Sequence, residues 1–168
     1  MEETVQPIIP NSFDDFIKEN PPENKDREDT MEVRFAKERV EWTEKVKNMS
    51  TMMRKIVDTA ELMTTLYTER QRGVEYYHYL LTLLSKINKT YRKQYAEKFD
   101  FYTYQTQKRF PNERSKEIQI MADLAPTISL RDQIENHSKF IDKTVGTMDN
   151  IIFGIKSRVE IEQILRGK

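Results

Sequence analysis

From Val46 to Tyr67 the apolar residues fall at alternating intervals of three and four: Val46, Met49, Met53, Ile56, Ala60, Met63 and Tyr67. Such spacing lines them up on one stripe of an α-helix, whereas a strand would scatter them over both of its faces. Carried on in the same register, it passes Arg70, Val74, Tyr77, Leu81, Leu84, Asn88, Tyr91, Tyr95, Lys98 and Tyr102, with no change of phase at Gly73. The pattern predicts helix over residues 31–104, either continuous or folded into a hairpin at Gln71 to Gly73. A glycine inside a helix costs only about 1 kcal/mol, so Gly73 does not end the helix by itself.

A second stripe, Leu130, Ile134, His137, Ile141, Val145, Met148, Ile152, Ile155 and Val159, predicts a C-terminal helix over residues 127–168. Ser129 with Asp132 three residues later, or Thr127, would open it, and Gly167 would end it. Between the two stripes, residues 105–126 read as a loop, with a turn at Pro111 and Asn112 and a short element over Ser115 to Leu124. Four glycines and six prolines in 168 residues are too few for the turns of a sheet protein, so the fold class is all-α. With 37% hydrophobic against 33% charged residues, the chain suits long amphipathic, coiled-coil-like helices better than a thick core. Helices of that length are expected to pair their seams between copies. The C-terminal one is assigned to homo-oligomerisation through Ile141, Val145, Met148, Ile152, Ile155 and Val159.

Charge is distributed unevenly. Residues 1–30 carry nine Asp/Glu against three Lys/Arg, a local charge of −6, so the remainder of this neutral chain is +6. The same segment holds Pro7, Pro10, Pro21 and Pro22 and reads as a disordered acidic arm with a short helix over Ser12 to Glu19. Such an arm is either a solvated tail or a competitor for a basic surface. Cysteine is absent, which removes disulfides and thiolate metal sites and fits a reducing, cytoplasmic setting. The N-terminus has no signal-peptide pattern and no apolar run approaches a membrane span, so a soluble protein without a membrane partner is expected. Two histidines, no Walker-type loop and no paired zinc motif leave no active site to assemble. The reading is a protein without catalysis, metal or cofactor, in which His137 is a packed core residue.

The basic counterpart of the arm is Lys86 to Lys116, with nine Lys/Arg, three Asp/Glu and seven aromatic residues. Cations interleaved with flat rings neutralise phosphates and stack on unpaired bases, which points to single-stranded nucleic acid. A helical wheel divides the segment. Tyr91, Tyr95, Phe99 and Tyr102 continue the apolar stripe and are assigned to the core. Lys86, Lys89 and Lys93 fall on the opposite face, with Phe101 and Tyr104 near it as stackers, and Arg92 and Lys98 lie at its borders. With Lys108 and Arg109 of the following loop, these residues form the candidate DNA-binding set. A structural coiled-coil or scaffold protein with an incidental basic patch is the competing reading.

The run Met148-Asp149-Asn150-Ile151-Ile152-Phe153-Gly154-Ile155-Lys156-Ser157-Arg158-Val159-Glu160-Ile161 resembles the C-terminal helix of the UvsY-type recombination mediators of T4-like phages. Lys98-Phe99-Asp100-Phe101-Tyr102 is similar to the basic, aromatic cluster that ends the DNA-binding helix of that family. The resemblance covers roughly residues 70 to 168; Lys98, and after it Arg92 and Lys93, are the positions to which it carries DNA contacts. It implies a homo-oligomer, ring-shaped as in the family, that binds single-stranded DNA. Such a protein helps a phage recombinase displace the phage single-strand-binding protein, in the host cytoplasm, during recombination, repair and recombination-dependent replication.

Overall fold

The computed structural model describes residues 30–53, 59–106 and 110–167. The acidic arm, Ile56 of the first stripe, and Lys108 and Arg109 lie outside the described residues. Among the described residues four α-helices follow one another: α1 (Met31–Met52), α2 (Thr59–Asp100), α3 (Glu113–Asp123) and α4 (Ala125–Arg166), and a π-helical turn, Phe101–Gln105, prolongs α2. No strand occurs among the described residues, and the all-α class holds.

Local sequence accounts for most helix ends. Thr30 caps α1 by accepting the Val33 amide at 3.4 Å. Asn112 caps α3 by accepting the Ser115 amide at 2.8 Å, so the turn read at Pro111 and Asn112 is the launch of α3. The capping expected at Ser129 or Thr127 is not used: α4 starts at Ala125 with Pro126 in its first turn, and Leu124 is its N-cap with no side-chain hydrogen bond. Proline suits that position because the first amides of a helix have no intrahelical acceptor to lose. Thr127 instead donates to the Gln94 side chain at 2.8 Å, tying α4 to α2.

The 42-residue helices α2 and α4 are each about 63 Å long at 1.5 Å per residue and lie antiparallel. Arg70 pairs with Asp149, Gly73 meets Val145, Tyr91 meets Arg131 and Gln94 meets Thr127. The α1 helix packs antiparallel to α2 and parallel to α4, as Lys45 to Glu69, Tyr76 to Glu38 and Arg158 to Met53 fix it. The chain break in helix thus falls between Met52 and Thr59, and Gly73 lies within uninterrupted helix.

Two hydrophobic clusters fill the space among α1, α2 and α4. Met31, Phe35, Leu80, Leu83, Ile87, Ile134 and Ile141 form one, and Met49, Leu62, Leu66, Met148, Ile151, Ile152 and Ile155 the other; Trp42 packs against both. Each such side chain, fully buried, contributes about 1.5–3 kcal/mol. At the junction Gly73 lets the helices close up, because a β-carbon there would stand 2.8 Å from Val145 Cγ2 and 3.6 Å from the Trp42 ring.

These clusters correct two expectations. The buried positions of α2 are Leu62, Leu66, Gly73, Leu80, Leu83 and Ile87, each one residue before the predicted stripe of Met63, Tyr67, Val74, Leu81, Leu84 and Asn88. The period is right and the phase is off by about 100°, because the register of α1 was carried across a break that resets it. Second, α4 finds its cover within the same chain. Ile141, Met148, Ile152 and Ile155 are buried against α1 and α2, Val145 is half-buried beside Gly73, and of the assigned seam only Val159 is exposed.

A polar cluster interrupts the upper core. The fully buried His137 ring stacks on Phe35 with centroids 4.1 Å apart, and its Nε2 lies 2.9 Å from Glu38 Oε2. Tyr76 Oη donates to the same oxygen at 2.5 Å, and Arg34 Nε donates to Glu38 Oε1 at 3.2 Å. Burial alone would raise the Glu38 pKa, but the His137 and Tyr76 hydrogen bonds and the His137 and Arg34 charges bring it below its ordinary value. The Tyr76 hydroxyl is pushed up by burial and by the adjacent carboxylate. His137 is thus a core histidine, as read from the sequence, held by partners on two other helices.

Candidate nucleic-acid interface

Between Glu75 and Glu97 the chain has no acidic residue, and its cations there are Lys86, Lys89, Arg92 and Lys93. All four are exposed on α2. At 100° per residue they span an arc of about 120° and about 10 Å of helix axis, opposite the buried Leu80, Leu83 and Ile87. Their position on the outer face follows from α2 turning its apolar side to α1 and α4. Lys89 and Arg92 make no ion pair with a described residue, and Lys93 is 3.9 Å from Glu97, a distance that leaves its ammonium in solvent.

Lys98 is placed elsewhere. It lies about 180° from Lys89 around the helix, on the side turned to α3, and its ammonium is 3.1 Å from Asp123. Asp123 also accepts from Tyr102 Oη at 2.7 Å and from Gln119 at 3.0 Å. Those three hydrogen bonds hold its carboxyl below its ordinary pKa, the one from Tyr102 most of all. Lys98 therefore belongs to the contact between α2 and α3 and is not grouped with Lys86, Lys89, Arg92 and Lys93.

Past Ile87 the described partners of α2 are α3 and the first turns of α4, and the contact is ring-and-cation packing more than core. The Arg131 guanidinium sits 5.5 Å from the Tyr91 ring centroid, and the Lys116 ammonium sits 4.1 Å from that of Phe99 while donating to Thr103 at 3.1 Å. Tyr91, Tyr95, Phe99 and Tyr102 are half-buried here, outside both hydrophobic clusters. Their expected place in the core is only partly realised, because α1 starts opposite Leu83 and offers no third layer beyond it. The π turn closes with the Thr106 amide donating to the Phe101 carbonyl at 3.0 Å. It turns Tyr102 inward and leaves Tyr104 79% and Phe101 41% exposed.

Phe101 and Tyr104 do stand in solvent, as a stacking role requires, but Glu97 and Asp100 lie between them and Lys93. The cationic face and the aromatic tip are two neighbouring surfaces on one helix. Sequence reasoning passed over a third surface: Phe153, Ile161, Ile164 and Leu165 of α4 are 57–72% exposed. The spacing of Ile161, Ile164 and Leu165 was its signal, hidden because it is out of phase with the main stripe. Among the described residues no group of His, Asp and Glu is arranged to hold a metal ion, and no helix is long and apolar enough to cross a membrane. No protein-family model matches the chain, and no curated protein or solved structure matches it.

Proposed function

We propose that the chain is a non-enzymatic, single-stranded-DNA-binding recombination mediator that works as a homo-oligomer. The observation that carries the DNA-binding part is the exposed cationic face of Lys86, Lys89, Arg92 and Lys93 on a stretch of α2 free of acids. Four phosphate contacts per chain bind weakly alone, and several linked copies raise the effective concentration for the next contact. The mediator role, with a phage recombinase and a phage single-strand-binding protein as partners, rests on the resemblance of residues 98–102 and 148–161. For assembly, the end of α4 with Phe153, Ile161, Ile164 and Leu165 replaces the buried stripe as the candidate contact, since apolar surface this exposed marks an interaction site.

Fluorescence anisotropy with an oligo-dT strand across a salt series tests the binding step. Four neutralised phosphates give log affinity against log salt a slope of about −3 per chain. The Lys86→Ala, Lys89→Ala, Lys93→Ala triple variant is expected to reduce it by about 2, and Lys98→Ala to leave it unchanged. Binding that is negligible at moderate salt would favour the scaffold reading, which the exposed apolar end of α4 also suits. A recombinase-loading assay on strands coated with the single-strand-binding protein separates a mediator from a simple coating protein.

A further inference from the structure

The structure brings the start of α1 to the same level along α2 as the cationic face, on the apolar side of that helix. Glu38 meets Tyr76, the Trp42 ring lies 3.6 Å from the β-carbon position of Gly73, and Lys45 meets Glu69. Extended about two turns further in this antiparallel register, Met31 stands opposite Leu83, and both belong to the same buried cluster. Thr30, to which the preceding 29 residues are joined, therefore lies within about one helical turn of Lys86 along the α2 axis. They carry a net charge of −6, equal and opposite to that of residues 31–168.

We infer that this face of α2 is the docking surface for the chain's own acidic arm, and that nucleic acid must displace the arm to bind. Reach does not restrict the contact: 29 residues span up to about 95 Å, whereas the four cations occupy about 10 Å of helix. Tethering keeps the arm at an effective concentration on the order of millimolar, enough for a weak, mainly coulombic contact to be populated at low salt. Asp14, Asp15 and Glu19 come within one short segment, interleaved with Phe13, Phe16 and Ile17. That segment offers carboxylates to the lysines and rings to the exposed aromatic tip, as a single strand offers phosphates and bases. The shallow groove beside the start of α1 is less suited, since Glu32 and Asp132 line it. The competitive consequence rests on the nucleic-acid reading; the arm contact does not.

The test keeps the full chain and neutralises the arm with Asp14→Asn, Asp15→Asn, Glu19→Gln, Glu23→Gln, Asp26→Asn and Glu28→Gln. Lysine acylation read by mass spectrometry, with exposed Lys143 on α4 as reference, reports cover over Lys89 and Lys93. Both lysines are expected to react about threefold or more slowly in the natural chain at low salt, the difference fading at high salt as the contact is screened. Equal rates in the two proteins overturn the docking. Oligo-dT is expected to bind the neutralised chain about three- to tenfold tighter at low salt. Slower acylation with equal affinity overturns the competition. Slower acylation with no DNA binding by either protein leaves the arm contact standing and removes the nucleic-acid reading.

Discussion

At the scale of single residues, Glu38 shows how a charge is kept in a core built mainly from side-chain burial. It accepts hydrogen bonds from Tyr76 and Arg34 and lies against His137 Nε2, so removing it leaves buried polar groups on α2 and α4 without a partner. Glu38→Ala is expected to cost about 2–3 kcal/mol in urea unfolding, and Tyr76→Phe about 1–2 kcal/mol. Glu38 and Glu69 both have folded-state pKa values below the ordinary 4.5, so each contributes stability that is complete above that pH and is lost as pH falls through the folded value. The part of the stability that these two carboxylates supply should be complete above about pH 5 and decline below it, less steeply in Glu38→Gln. An acid limb identical in that variant would show that Glu38 is not linked to folding. Of the candidate site, Lys86, Lys89, Arg92 and Lys93 were legible at this scale, since a cation on the polar side of a periodic helix is turned away from the core. Lys98 was not, because its partner Asp123 arrives from 25 residues away through a change of chain direction.

At the scale of elements, the close approach of α2 and α4 depends on Gly73. Alanine at an ordinary helical glycine is favourable by about 1 kcal/mol, but here the added methyl meets Val145 Cγ2, a branched group with little rotamer freedom. Gly73→Ala is therefore expected to be destabilising by about 1 kcal/mol in the natural background and stabilising when combined with Val145→Ala. A thermodynamic cycle checks it, and additive effects would mean that the two positions do not touch. The two faces of α4 separate in the same way. Ile155→Asp places an unpaired carboxylate in the cluster of Met49, Leu62, Leu66 and Met148 and should cost about 3 kcal/mol or more in folding stability. Ile164→Asp with Leu165→Asp should leave unfolding unchanged within about 0.5 kcal/mol and alter the sedimenting mass, if the end of α4 joins copies.

For the whole molecule, the long α2–α4 hairpin has different cover along its length. Near α1 it has a three-helix core; beyond Ile87, among the described residues, only α3 lies along it, in a seam of rings, cations and hydrogen bonds. Amide exchange is expected to be slowest at Leu66, Leu80, Ile134 and Met148 and faster by orders of magnitude over 91–105, since local opening follows the apolar area covered. The cationic face begins at that change in cover. Protection as strong at the tip as in the core would contradict this gradient.

The sequence by itself determined the helical class, the period of each stripe, the placing of the second long helix, the buried His137 and the outward lysines. Those follow from local spacing at 3.6 residues per turn, which each segment expresses without reference to the others. Only the tertiary structure decided the phase of the α2 stripe, the use of Gly73 as a contact point, the cover of Ile141, Met148, Ile152 and Ile155 within one chain, and the pairing of Lys98 with Asp123. Apolar periodicity states that a stripe must be buried and carries no information on whether its cover comes from the same chain or from another. The choice lies in where the helix breaks and how the helices fold back, and one break between Met52 and Thr59 supplies both the reset of phase and the third helix of the core.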